Sequence, residues 1–455
     1  MEAKNVKGTR DILLNETGGF RTIENILTQI CGLFGYHELR TPILEHSEVF
    51  ARGVGEGSDI VRKEMYTFED KAGRSVTMRP EFTAGIIRSF IQNKMHIEAE
   101  LPVKIFYHGP AFRYERPQLG RYRQFSQFGV ESIGSSSLYN DAEVITMAYT
   151  MLASLALNNV TLKINCLGDK ESRDNYREAL KKYFEPHLDN MCPDCKERFR
   201  LNPLRILDCK VEEDKILAKD APKIKDYLSA SSLERFEKIK SALRSNNIPF
   251  VEDDQLVRGL DYYSEIVFEF AYVSKTGKDY GALGGGGHYG NLMKELGGPD
   301  LPGVGFSFGV ERLFDILVDD GILEAKTSPV DIYVMPLGDE AKEYALNIAN
   351  RLRVNGFATD MCFDDVKLGA MIKRALKKGA SFAVIIGEDE IANNKLMVKN
   401  LKENVQEEVS SSELITYFNN LYMKSRGGCS CGRDCSVDCA DCSCDNNCSG
   451  GNNNE

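Results

Sequence analysis

Apolar side chains recur at helical spacing early in the chain. Ile23, Ile26, Leu27, Ile30 and Phe34 fall on one stripe, which predicts a helix over residues 21–34. The pattern then changes. Val103–His108 is apolar and β-prone, Tyr122–Ile133 alternates, and the charge-dense GPAFRYERPQLGR lies between them, so two strands joined by a basic loop are expected. Residues 170–250 return to helical periodicity, rich in Lys, Glu, Leu and Arg, as a helical insertion would be. Residues 255–273, which include IVFEFAYV, read as strand. A glycine run at 284–287 precedes an expected helix at 290–296, followed by a strand at Val304–Phe308 and a helix at Gly309–Leu317.

Near Lys326–Pro329 a second regime begins. Strands are expected at Val330–Pro336, Ala358–Phe363 and Phe382–Ile386, with helices at Ala341–Val354 and Leu368–Lys377 between them. Strands alternating with helices imply a small α/β domain with a mostly parallel sheet. After about Met423 the chain turns to Gly, Cys, Ser, Asp and Asn, with only Val437 and Ala440 apolar among its cysteines. Such a segment cannot build a core by burial and reads as a disordered tail.

Composition changes this picture little. The 455 residues suggest two to four domains, and 42% hydrophobic with 27% charged residues is ordinary for a globular chain. No stretch approaches a membrane span, and MEAKNVKGTR has no apolar run after its charges, so a cytoplasmic protein is expected. The net charge of −11 excludes a grip on nucleic acid through bulk positive charge, but not a local basic patch. Of thirteen cysteines, seven crowd between Cys429 and Cys448.

Four segments carry candidate chemistry. Side chains two apart in a strand share a face, which groups Arg113 with Glu115, and Gln127 and Glu131 with a gap at Gly129 that leaves room for a ligand. An arginine fork suits a phosphate; a solvated sheet face with ion pairs is the plain alternative. LVRGLDYY (256–263) sets Arg258, Asp261 and two tyrosines in an apolar frame. The four glycines of GALGGGGHYGNL (281–292) either lie flat against a ligand or form a flexible turn, and no GK[ST] follows to make a P-loop. GVGFSFGVERL (303–313) places Arg312 early in a helix, where it opposes the helix dipole, which hints at another role.

TMRPEFTAG (77–85), GPAFRYERPQLGRYRQFSQFGVE (109–131), LVRGLDYY and GVGFSFGVERL together resemble the signatures of the histidyl-tRNA synthetases, class II aminoacyl-tRNA synthetases. KGTRD (7–11), RTPILE (40–45) and NPLRILDCK (202–210) fit as well, and the resemblance runs over about residues 5–422. It implies an α+β catalytic domain at 1–325, with an antiparallel sheet flanked by helices and a helical insertion at about 170–250. An α/β anticodon-binding domain at 329–422 and the Cys-rich tail at 427–455 would follow. It also implies a homodimer, with the region around Pro42 at the interface. The implied reaction joins L-histidine to ATP as histidyl-adenylate and passes the acyl group to tRNA(His), with Mg²⁺ bridging the phosphates.

By the same resemblance Arg113 and Arg258 are catalytic, neutralising charge at the α-phosphate from either side. Arg312 holds the γ-phosphate end, and Glu115, Arg121 and Phe125 shape the adenine site. Glu81, Thr83 and Gln127 suit the ammonium of histidine; Glu131 and Tyr263, with Tyr262 and Tyr289, suit its imidazole; Phe82 stands beside them. Arg116, Gln118 and Arg123 would meet the tRNA acceptor end.

Several positions depart from the family pattern: Phe82 replaces a usual glycine, His288 an arginine, Gly290 an Asp or Asn, Ser126 a common histidine and Glu265 a frequent basic residue. They motivate two alternatives, a paralogue that adenylates histidine or an analogue for another acceptor, and a regulatory histidine sensor. Arg113, Arg258, Arg312 and residues 330–422, all present, count against the sensor. Cys192, Cys195 and Cys209 are possible zinc ligands with no evident fourth. The tail lies outside the pattern. Its Cys429, Cys431, Cys435, Cys439, Cys442, Cys444 and Cys448 would suit Zn²⁺ or another soft metal, against a plain appendage with free or oxidised thiols.

Overall fold

The computed structural model describes residues 3–55, 58–116, 120–325 and 330–425. The seven tail cysteines and Gln118 lie outside them. The chain divides into two compact units that meet in sequence at Lys326 and Thr327.

The first unit is built on an eight-stranded sheet. Its order is His37–Glu38, Val103–Phe112, Gln124–Ile133, Gly303–Gly309, Asp279–Tyr289, Ser264–Val273, Val160–Cys166 and Val251–Glu252. The six inner strands pair antiparallel, and the two-residue edge strands pair parallel. Alternation sorts the two faces. Phe106, Phe128, Val130, Phe268 and Phe306 point to one face, under helices Thr17–Leu33, Leu138–Ser154 and Val310–Asp319. The helical stripe expected at 21–34 belongs to the first of these, which starts earlier and buries Phe20, Ile23, Leu27 and Ile30. Ile105, Tyr107, Val267 and Tyr289 point to the other face, toward helix Thr83–Gln92 and the insertion. The insertion is helical as expected, with helices at Lys170–Phe184, Pro193–Leu201, Glu212–Lys219 and Ala230–Ser245.

Three local expectations are corrected. The strand expected to stop at His108 runs on to Phe112, because Gly109–Phe112 pair in register with Gln127–Gln124. Arg113 and Glu115 therefore follow the strand rather than share its face. The glycine run is strand and not a turn, and its Gly284 and Gly285 line the cavity described below. Gly284–Gly287 lie inside strand Asp279–Tyr289, where a Cβ at Gly284 would come within 2.1 Å of the Ser307 carbonyl oxygen and one at Gly286 within 1.8 Å of that of Gly305. Helix 290–296 shrinks to the single turn Leu292–Glu295.

The second unit holds a five-stranded sheet in the order Thr359–Met361, Ile332–Pro336, Phe382–Ile386, Lys395–Asn400 and Val405–Ser410. The first three strands are parallel, as alternating helices require. The last two form an antiparallel hairpin that makes the sheet mixed. Ile332 and Val334 bury against helix Ala341–Val354 on one face, and Tyr333 and Met335 against Leu368–Lys377 on the other.

Candidate active site

One cavity of about 520 Å³ opens on the face of the large sheet that carries Gln127 and Glu131. The residues assigned above to histidine and to ATP all line it. Glu81, Phe82 and Thr83 come from the start of helix Thr83–Gln92; Gln127 and Glu131 from the sheet; Tyr262, Tyr263 and Tyr289 close one side. Arg113, Glu115, Arg121, Phe125, Arg258 and Arg312 ring the remainder.

Glu131 is the centre of the deep end. It is 1% exposed and accepts hydrogen bonds from Thr83 Oγ1 at 2.7 Å, Tyr289 OH at 2.8 Å and, more weakly, Tyr107 OH at 3.4 Å. Burial pushes its carboxyl up to about 8 against the pull of those hydroxyls. Gly305 makes room for it, since a Cβ there would stand 1.9 Å from Glu131 Oε2. Glu81 takes the backbone N–H groups of Thr83 and Ala84 at 2.7 and 3.0 Å, one on each oxygen, so it orders the helix start and each oxygen keeps a lone pair. Gln127 Oε1 and Arg258 Nε are buried and have no hydrogen-bond partner among the described residues. Both belong to groups that face the cavity, where a ligand would satisfy them.

The ring is cationic but braced. Arg258 pairs with Glu269 at 2.7 Å. Arg113 donates to the Pro80 carbonyl at 2.8 Å and lies 5.3 Å over the Phe125 ring. Glu115 sits between Arg113 at 3.8 Å and Arg121 at 3.5 Å. Arg312 donates to the carbonyls of Ala282 and Gly120. Burial, and then the charge of Arg121, hold its guanidinium below the ordinary value. Such a cluster favours an anion.

Some expectations move. The gap at Gly129 is filled by Tyr107, whose hydroxyl would sit 2.4 Å from a Cβ there. The Phe82 ring stacks on Tyr107 at 4.5 Å with the Arg79 guanidinium 3.8 Å over it, so it is part of the cavity wall and not a free obstacle. His288 faces the opposite side of the sheet, where its Nδ1 meets the buried Asp141 at 3.0 Å. Gly290, Ser126 and Glu265 also lie off the cavity: the Gly290 N–H donates to Ser264, the Ser126 N–H to Glu311, and Glu265 accepts from Ser232. Arg123 lies over Tyr114 at 3.8 Å and Arg116 is exposed; neither lines the cavity.

Tyr107 and Glu269 are among the lining residues that escaped the sequence reading. Tyr107 could have been found from its register opposite Gly129, a large residue facing a missing one. Glu269 could have been found as the single charge in the apolar run IVFEFAYV.

The family model described as histidyl-tRNA synthetase matches residues 8–313, two thirds of the chain. The chain belongs to the histidyl-tRNA synthetase family. A model described as an anticodon binding domain matches residues 331–421 of this family member. It is 45% identical to the histidine–tRNA ligase of Lysinibacillus sphaericus (strain C3-41) over 92% of its length and 99% of that protein's. It is also 45% identical to that of Bacillus subtilis (strain 168), over 90% and 96%. The apo S. aureus histidyl-tRNA synthetase superimposes with a TM-score of 0.78 at 39% identity, covering 92% of this chain and 100% of that one.

Proposed function

We propose that the protein is a histidine–tRNA ligase that activates L-histidine with ATP and delivers it to tRNA(His). The observation that carries this reading is the buried Glu131 network beside Gln127, opening into an arginine-ringed cavity. A recessed carboxylate is matched to an imidazole N–H, and an apolar amino acid would leave it unpaired. The remaining acceptor capacity of Glu81 and the free oxygen of Gln127 suit the α-ammonium.

In the first step a carboxylate oxygen of histidine attacks the α-phosphorus and pyrophosphate leaves. No strong base is needed, because the nucleophile is already charged. Arg113 and Arg258 offset the charge that builds on the α-phosphate, and their fixed partners Pro80 and Glu269 hold them in place beforehand. Arg312, with Arg121 beside it, receives the distal phosphates, and Phe125 and Glu115 the adenine. Glu269 presents a hard oxygen donor to the cavity and would hold Mg²⁺ together with the phosphates, where the ion would supply charge neutralisation. In the second step a ribose hydroxyl of the tRNA end attacks the adenylate carbonyl and AMP leaves. Arg116, Gln118 and Arg123 would meet that end.

The second unit would read the anticodon. A second copy of the chain would cover the exposed Ile43, Leu44 and Phe68 around a small sheet next to Pro42. No described helix is long and apolar enough to cross a membrane, in keeping with work in the cytoplasm. Charging of a tRNA(His) transcript with labelled histidine tests the reading. ATP-dependent charging of that transcript and not of others is expected; adenylate formation without any charging would favour another acceptor.

A further inference from the structure

The insertion carries a cluster that the reaction does not use. Cys192, Cys195, Cys209 and Asp214 place one ligand atom each within 4.8 Å of one another. The sequence offered three thiols without a fourth partner; folding brings Asp214 to them from the first turn of helix Glu212–Lys219. We propose that these four residues form a closed tetrahedral site for Zn²⁺.

The distances fit the ion. With Zn–S bonds of about 2.3 Å and Zn–O of about 2.0–2.2 Å, a tetrahedron has S–S edges near 3.8 Å and S–O edges near 3.6 Å. Cys192 Sγ and Cys209 Sγ lie 3.9 Å apart, and Cys209 Sγ lies 3.5 Å from Asp214 Oδ2. The Cys195 N–H already points at Cys192 Sγ at 3.4 Å, which favours a thiolate there. A second observation concerns the carboxylate itself, which also accepts the Cys192 N–H at 3.1 Å. Asp214 is 2% exposed, and no Lys, Arg or His among the described residues forms an ion pair with it. A buried carboxylate without a cation is costly, and a metal ion supplies the missing charge. Binding would release the three thiol protons to solvent and leave a site of net charge −2, while no open position remains for catalysis at the metal.

The location gives the site a purpose. Cys192, Cys209 and Lys210 reach the rim of the catalytic cavity. Between the cysteines, Arg198 and Arg205 grip Asp59 at 2.8 and 3.0 Å, and Arg205 donates to the Gly259 carbonyl at 2.7 Å. Gly259 follows Arg258 directly. The ion would therefore pin the segment that braces the backbone beside Arg258.

The test must exclude the tail thiols. Full-length protein with all seven tail cysteines changed to Ser, purified under reducing conditions after growth with Zn²⁺, is expected to hold one zinc per chain by elemental analysis. Cys209→Ser in that background should lower the content at least tenfold. No zinc in the tail-Ser protein, or unchanged content in Cys209→Ser, overturns the proposal. Should Cys209→Ser fail to fold, replacement of the metal by Co²⁺ in the tail-Ser protein decides. Thiolate charge-transfer bands with strong tetrahedral visible bands are expected, and their absence overturns the proposal. So does a Cys192–Cys209 disulfide in the reduced preparation.

Discussion

Replacing Glu131 by Gln should remove a pH dependence from the stability of the first unit. Burial lifts the Glu131 carboxyl from 4.5 to about 8. Between those values the folded chain keeps a proton that the unfolded chain has released. Raising the pH through that window therefore favours unfolding, and the loss levels off above about 8. At about 1.4 kcal/mol per pH unit, the full span amounts to about 5 kcal/mol, an upper figure because a buried site relaxes around its charge. The substituted amide does not titrate. It also accepts from only one of Thr83 and Tyr289, which lowers stability by a constant of roughly 1–3 kcal/mol. The chain has no tryptophan, so urea unfolding is best followed by far-ultraviolet circular dichroism. The difference between wild type and Glu131→Gln cancels other titrating groups, and should shrink by several kcal/mol from about pH 5 to about pH 8. Saturating histidine should flatten the wild-type slope, since an imidazole N–H stabilises the ionised form. A difference that stays constant across the window would refute the assignment of a buried, proton-retaining carboxyl.

Arg258→Ala should lower turnover by about two to three decades, the scale for one preorganised charge contact, while histidine affinity changes much less; near-normal turnover in single-turnover kinetics would show the residue is misplaced. Phe82→Gly removes a ring held between Tyr107 and Arg79 and should cost roughly 3–5 kcal/mol by urea unfolding, with wider acceptance of histidine analogues in adenylation assays. An unchanged analogue profile would mean that the ring does not bound the amino-acid pocket. His288→Ala should weaken the Asp141 network by roughly 1–3 kcal/mol and leave the KM for histidine unchanged, because the imidazole faces away from the cavity. A raised KM would place His288 in the substrate site after all.

What was legible in the sequence was periodic or local. Ala341–Val354, Leu368–Lys377 and Phe382–Ile386 fold over the residues their spacing predicts, because each buries a stripe or face against its own sheet. The hairpin Lys395–Asn400 and Val405–Ser410 escaped, since VQEEVS is mostly exposed and has too little apolar alternation to announce a strand. The glycine run stayed open between a ligand-facing backbone and a turn for a different reason. What a missing Cβ makes room for depends on neighbouring strands, and Ser307, Phe268 and Gly305 come from elsewhere in the chain. Only the fold separates His288 from its neighbour Tyr289: adjacent strand positions point to opposite faces, so Tyr289 reaches Glu131 while His288 reaches Asp141. Asp214 was likewise invisible beside the cysteines, because its distance from them is set by the turn of the insertion and not by a motif.

Pyrophosphate exchange into ATP, run with each of the twenty amino acids in turn on the purified protein, tests the central claim most directly. It reads the first chemical step without tRNA and reports which side chain the Glu131 pocket admits. Exchange dependent on histidine, and on no other amino acid, is the expected result. Exchange driven by a different amino acid, or by none, would contradict the reading of this cavity as a histidine-activating site.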